Sequence, residues 1–129
     1  MKIIGIGVDL VQNKRIRNSI KNKNFIKRTF GKDEIINSKK TVNKTNYFAK
    51  RFASKESLSK ALGTGFRNGL NFKDIQILNN KLGKPYYHLN SKLKKFIKKK
   101  KNISNYDLFL SISDEKEYSI AFTLIQSKR

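Results

Sequence analysis

An α+β domain with a mostly antiparallel sheet follows from three features of the chain. These are an alternating β-branched segment at the N-terminus, one long helical stretch at 44–62, and two hairpin patterns in the second half. Residues 2–9 alternate and carry β-branched side chains, which predicts a strand ending at Asp9. Residues 13–21 set Ile16 and Ile20 four apart among basic residues, the pattern of a short amphipathic helix. Phe25, Ile26 and Phe30 predict another turn or two of helix stopped at Gly31, and 32–36 a further short one. In 44–62, Phe48, Ala49, Phe52, Ala53 and Leu62 supply helical apolar spacing, and Gly63-Thr64-Gly65 ends it.

After Gly65 the period changes. Residues 74–78 and 84–88 form a hairpin across the turn at 79–83. Leu89, Leu93, Phe96 and Ile97 mark one face of a helix whose other face is lysine-rich. Tyr106, Leu108, Leu110 and Ile112 alternate, 114–117 turns, and Tyr118, Ile120, Phe122 and Leu124 alternate back. The expected order is strand, helices, two strands, helix, two strands, in one domain spanning 1–129.

Composition narrows the chemistry. The 129 residues carry 30 Lys and Arg against 9 Asp and Glu, a formal charge of +21. Such a field draws in acidic partners, whether nucleic acid, anionic lipid, a phosphorylated small molecule or an acidic protein. Part of the excess also fits a chain rich in the Lys, Asn, Ile and Phe that AT-rich codons favour, so charge alone does not choose the partner. With no cysteine, disulfides, thiolate catalysis and thiolate zinc sites are excluded. The single histidine, His88, sits beside two tyrosines in a hairpin strand and reads as structural, so a Ser-His-Asp arrangement has no support. No apolar run is long enough for a membrane span, and the N-terminal apolar stretch meets Asp9 too soon for a secretory signal. A cytoplasmic location is the expectation. Lys94 to Lys101 read as a solvated helix face, whereas Lys14, Arg15, Arg17 and Lys21, directly after Asp9, read as a docking surface for an acidic macromolecule.

Two acids stand where acids are rare. Counting back by four from Glu56 gives Phe52 and Phe48, so Glu56 lies on the stripe that should face the core. A carboxylate there must be paired or hold a metal. Asp9 and Glu56 together would suit Mg²⁺, which takes one or two protein carboxylates and completes its octahedron with water and phosphate oxygens. The alternative is a Glu56–Lys60 pair on the helix face, with Asp9 capping the next helix; periodicity alone favours it. Lysines beside the glycines of 55–65 could cradle a diphosphate, or Gly63 could simply cap the helix.

Four ordered blocks then carry a resemblance. Gly5-Ile6-Gly7-Val8-Asp9-Leu10 with Arg15-Ile16, the run from Arg51 to Gly65, Gly83-Lys84-Pro85-Tyr86, and Ser111-Ile112-Ser113 with Tyr118 resemble the signatures of the holo-[acyl-carrier-protein] synthases. These are small 4′-phosphopantetheinyl transferases, and the similarity runs the length of the chain. The resemblance implies that fold, and transfer of 4′-phosphopantetheine from coenzyme A to a serine of apo-acyl carrier protein. It implies Asp9 and Glu56 as Mg²⁺ ligands, and Lys60 at the diphosphate. Arg51, Lys55, Ser59, Gly63, Lys84 and Pro85 would line the coenzyme A site, and Arg15 would lie on the carrier-docking helix. It further implies a homotrimer with sites at subunit interfaces, and neither a membrane nor a nucleic-acid partner. One position departs: Asp114 stands where the family usually has a histidine that can donate to phosphate. Either Asp114 turns outward or Lys116 takes over the cationic role, and the second is the expectation. The rival class, a small basic RNA- or ribosome-binding protein, rests on charge and interleaved aromatics and leaves Glu56 unexplained.

Overall fold

The computed structural model describes residues 1–67 and 69–128. Strand β1 (Lys2–Gln12) is followed by three short helices, α1 (Asn13–Ser19), α2 (Lys23–Thr29) and α3 (Lys32–Ser38). The long helix α4 (Lys44–Leu62) comes next, then the hairpin β2 (Gln76–Asn79) and β3 (Pro85–His88), helix α5 (Ser91–Lys101), and strands β4 (Tyr106–Asp114) and β5 (Tyr118–Ser127). The element order is the expected one, with two separate sheets. One is three-stranded in the order β1-β5-β4 and the other is the β2–β3 hairpin; every pairing is antiparallel.

Helix α4 begins and ends where its caps dictate. The Asn43 side chain accepts from the backbone N–H of Asn46 at 3.1 Å, and Gly63 closes the other end at φ 75°, a left-handed geometry that glycine enters freely. Strand β1 runs three residues past the expected end, because β5 keeps pairing with it as far as Gln12 opposite Tyr118. Asp9 is therefore inside a strand, opposite Ala121.

The three-stranded sheet has two unlike faces. Ser119, Ala121, Thr123 and Ile125 of β5 point inward against α4 and are fully buried. Tyr118, Ile120 and Phe122 point outward and are exposed, as are Ile6, Val8 and Leu10 of β1 and Phe109 of β4. Period-2 alternation produces both faces.

Two polar clusters fix α4 in place. The Tyr87 hydroxyl donates to Ser54 O at 2.6 Å and shares a 2.6 Å hydrogen bond with Thr123 Oγ1, which also meets Ser57 Oγ at 2.6 Å. Burial pushes the Tyr87 phenol far above its ordinary range, so it stays a neutral donor. On the other flank Lys55 and Glu34 form an ion pair at 2.7 Å with neither side chain exposed. Lys55 Nζ also donates to the carbonyls of Phe72 and Ile75. Glu34 accepts from the backbone N–H groups of Gly31 at 2.9 Å and Ile77 at 3.0 Å. A buried ion pair is tolerable when its remaining hydrogen-bonding capacity is filled in this way.

Candidate active site

Glycine brings the strand onto the helix. A Cβ on Gly5 would lie 1.9 Å from Ala61 O, and one on Gly7 would lie 2.0 Å from Ser57 O and 2.7 Å from Ala61 N. Only a bare backbone fits that close, and successive same-face positions of β1 run Gly5, Gly7, Asp9. Asp9 is thus the first side chain on this face after two glycines, set against the last two turns of α4. Lys60 Nζ donates to Asp9 Oδ1 and to the Val8 carbonyl, each at 3.1 Å. The capping role open to Asp9 is not used, since α1 has Gln12 as its N-cap with no side-chain cap bond.

Glu56 stands one helical turn before Lys60 on α4, which puts it beside the lysine that holds Asp9. Burial is the main cause that raises the Glu56 pKa, and the Asp9 charge raises it further; Lys60 and Arg15 oppose both. Asp9 is likewise raised by burial, against the Lys60 hydrogen bond and the charges of Lys60 and Arg15. Two half-buried carboxylates thus share one corner with two cations, Lys60 and Arg15. Two hard oxygen donors suit Mg²⁺, which takes one or two protein carboxylates. Among the described residues no cluster of three or more His, Cys, Asp or Glu could cage a metal, so this pair would need a substrate's oxygens to complete a shell.

The remaining expected residues are spread over several places. Ser59 is buried with its hydroxyl donating to Glu56 O at 2.7 Å, directly behind the pair, and Gly63 caps the same helix. Arg51 and Asp114 line a cavity of about 640 Å³ beside the first half of α4, with Asn79 and Tyr86 of the β2–β3 hairpin. There Arg51 Nη2 donates to Asn79 Oδ1 at 2.6 Å, and its guanidinium lies 3.7 Å over the Tyr47 ring. Pro85 opens β3 opposite Asn79, and Lys84 is exposed in the preceding turn. Lys55 departs from expectation: it is interior, holding Glu34, and does not reach solvent. Asp114 is exposed at the end of β4, and Lys116, expected to supply the cation there, lines a different groove. Lys50 Nζ stands 4.0 Å from its carboxylate, and Asn46 Nδ2 donates to it at 2.8 Å. Lys14, Arg17 and Lys21 are exposed with Arg15 along and just past α1.

Sequence reasoning missed Lys50, Asn46 and Glu34, and the work of Gly5 and Gly7. The glycines had a readable signal, since a glycine pair inside a strand marks close backbone approach.

With this geometry in view, residues 5–123 match the 4′-phosphopantetheinyl transferase superfamily. A holo-[acyl-carrier-protein] synthase of Pelagibacter ubique is 57% identical over 128 residues, covering 99% of this chain and 100% of that one. The chain belongs to the holo-[acyl-carrier-protein] synthase family. Among solved structures of the family, the synthase from Neisseria meningitidis superposes with a TM-score of 0.86 at 37% identity, covering 97% of this chain and 99% of that one. The synthase from Bacillus anthracis, solved in complex with CoA (3′,5′-ADP), gives 0.82 at 30% identity over 99% of this chain and 100% of that one. No helix among the described residues is long and apolar enough to cross a membrane.

Proposed function

We propose that the chain transfers 4′-phosphopantetheine from coenzyme A to a serine of an apo-acyl carrier protein, releasing adenosine 3′,5′-bisphosphate, with Mg²⁺ as the metal. The observation that carries this is the corner formed by Asp9, Glu56 and Lys60: two repelling carboxylates and one lysine over a glycine-flattened strand. Asp9 and Glu56 would hold the ion, whose chemistry is to neutralise diphosphate oxygens and orient the transferred group. Lys60 has a reach that spans Asp9 and the Val8 carbonyl, and turned toward the substrate it offsets charge on the departing phosphate. Arg15, whose field already reaches both carboxylates, adds to that neutralisation and ties the corner to α1. Phosphoryl-type transfer asks chiefly for positioning and charge neutralisation, and this corner supplies both.

The outer face of the three-stranded sheet supports a homotrimer. Val8 pairs with Phe122 and Leu10 with Ile120, and these side chains are 51%, 42%, 61% and 39% exposed, so the apolar patch is contiguous. A patch of that kind on a chain this charged calls for cover, and copies of the chain would bury it while leaving the opposite face, where Asp9 meets α4, as it is.

Incubation with coenzyme A, Mg²⁺ and apo-carrier, followed by intact-mass measurement of the carrier, tests the reading. A gain of one phosphopantetheine arm that disappears with chelator is expected. An unmodified carrier, with the chain folded and Mg²⁺ in excess, overturns it.

A further inference from the structure

Lys116 does not line the cavity that holds Asp114. It lines a separate groove of about 580 Å³, opposite Lys14 and Arg17 of α1 and beside Asn43 and Asn46 at the start of α4. Asn13 holds the β4–β5 turn in this position. Its side chain is buried, 3% exposed, at the first residue of α1. Its Nδ2 donates to Glu115 O at 2.8 Å and Lys116 O at 3.1 Å, and its Oδ1 accepts from Ser119 Oγ at 2.8 Å. Its backbone N–H donates to Glu117 O at 2.8 Å. Both N–H bonds and the carbonyl of the amide are satisfied, so the clasp is geometrically specific. Asn46 adds a 3.0 Å bond to the same Glu115 carbonyl. These bonds tie the first turn of α1 to the β4–β5 turn, so Lys14, Arg17 and Lys116 line one groove, with Glu117 also in its lining.

We propose that α1 and the β4–β5 turn form a single docking surface for an acidic segment of the carrier protein. Lys116 extends the cation row of α1 across the groove, and Asn13 is the positioning residue that keeps the two elements in register. The inference rests on the carrier-protein reading. A partner with carboxylates along one face meets three cations on two elements, which fixes its angle as well as its affinity, whereas α1 alone offers a single row that a helix can slide along.

The test is the transfer reaction with apo-carrier and coenzyme A varied separately. Lys116→Glu should raise the KM for apo-carrier roughly fivefold to tenfold, the scale of one lost ion pair plus one new repulsion. Its KM for coenzyme A should not change. Asn13→Ala should raise the carrier KM alone, with kcat and the KM for coenzyme A held. Ser119→Ala, which removes one bond of the clasp from outside α1, carries the same test if Asn13→Ala fails to fold. A rise in the coenzyme A KM for Lys116→Glu would return Lys116 to phosphate binding and overturn the proposal, as would no change in either KM. A fall in kcat on loosening the clasp overturns the positioning role of Asn13. A wild-type chain that modifies no carrier overturns the functional reading, and the docking surface with it.

Discussion

Replacing Gly7 with alanine pushes the strand that carries Asp9 away from the helix that carries Glu56 and Lys60. The new Cβ would lie 2.0 Å from Ser57 O, 2.7 Å from Ala61 N and 3.0 Å from Lys60 Cβ. The two nearest atoms are helix backbone, which cannot rotate aside as a side chain can. Real Cβ contacts stay beyond 3.0 Å, so β1 must retreat by about 1 Å, a displacement that can lower the rate of a positioned reaction by about 10²-fold. The stability loss expected for overpacking is about 1–3 kcal/mol, small enough for the domain to remain folded. The two effects separate in measurement: kcat from the time course of carrier mass, stability from urea denaturation. Because Asp9 sits two residues further along the same strand face, kcat should fall far more than the fraction folded. A folded Gly7→Ala chain with the wild-type kcat and Mg²⁺ requirement would refute the claim that this close approach builds the site.

Three further outcomes follow from other parts of the fold. Glu34→Ala strands the Lys55 ammonium without its carboxylate in the interior, which should cost about 3–5 kcal/mol; a urea midpoint within error of wild type would count against the scaffold role given to that pair. Phe122→Lys puts a charge at the centre of the outer sheet face and should convert the assembly to monomers by light scattering, whereas an unaltered mass would place the interface elsewhere. Raising salt from 50 to about 500 mM shortens the Debye length to well under 10 Å; the carrier KM should rise steeply, and a flat response would remove electrostatic docking from the account.

Much of this was legible in the sequence. Helix α4 was readable from residue 44 to 62, because its apolar spacing and its glycine stop are local signals. The Asp9–Glu56 corner was half legible: periodicity exposed Glu56 as misplaced but by itself favoured a Glu56–Lys60 pair. The structure gives Lys60 to Asp9 instead, through a strand approach that no helical count reveals. Lys55 was misread because its partner, Glu34, is 21 residues away on another helix. A buried lysine looks the same in sequence as an exposed one. The extension of β1 to Gln12 and the placement of Lys116 apart from Asp114 have one origin, pairing of β1 with β5 and the Asn13 clasp, the latter joining positions 103 residues apart.

The central claim is that Asp9 and Glu56 act together on the diphosphate of coenzyme A. It is tested most directly by the transfer rate of Asp9→Asn and Glu56→Gln chains at saturating coenzyme A, apo-carrier and Mg²⁺, each checked for wild-type circular dichroism. Both substitutions keep shape and remove charge. Each should lower the rate by at least about 10²-fold, the scale of deleting one preorganised charge-stabilising group. The double substitution should add little to either, since the two carboxylates serve one ion. Rates within a few-fold of wild type for either chain would contradict the account.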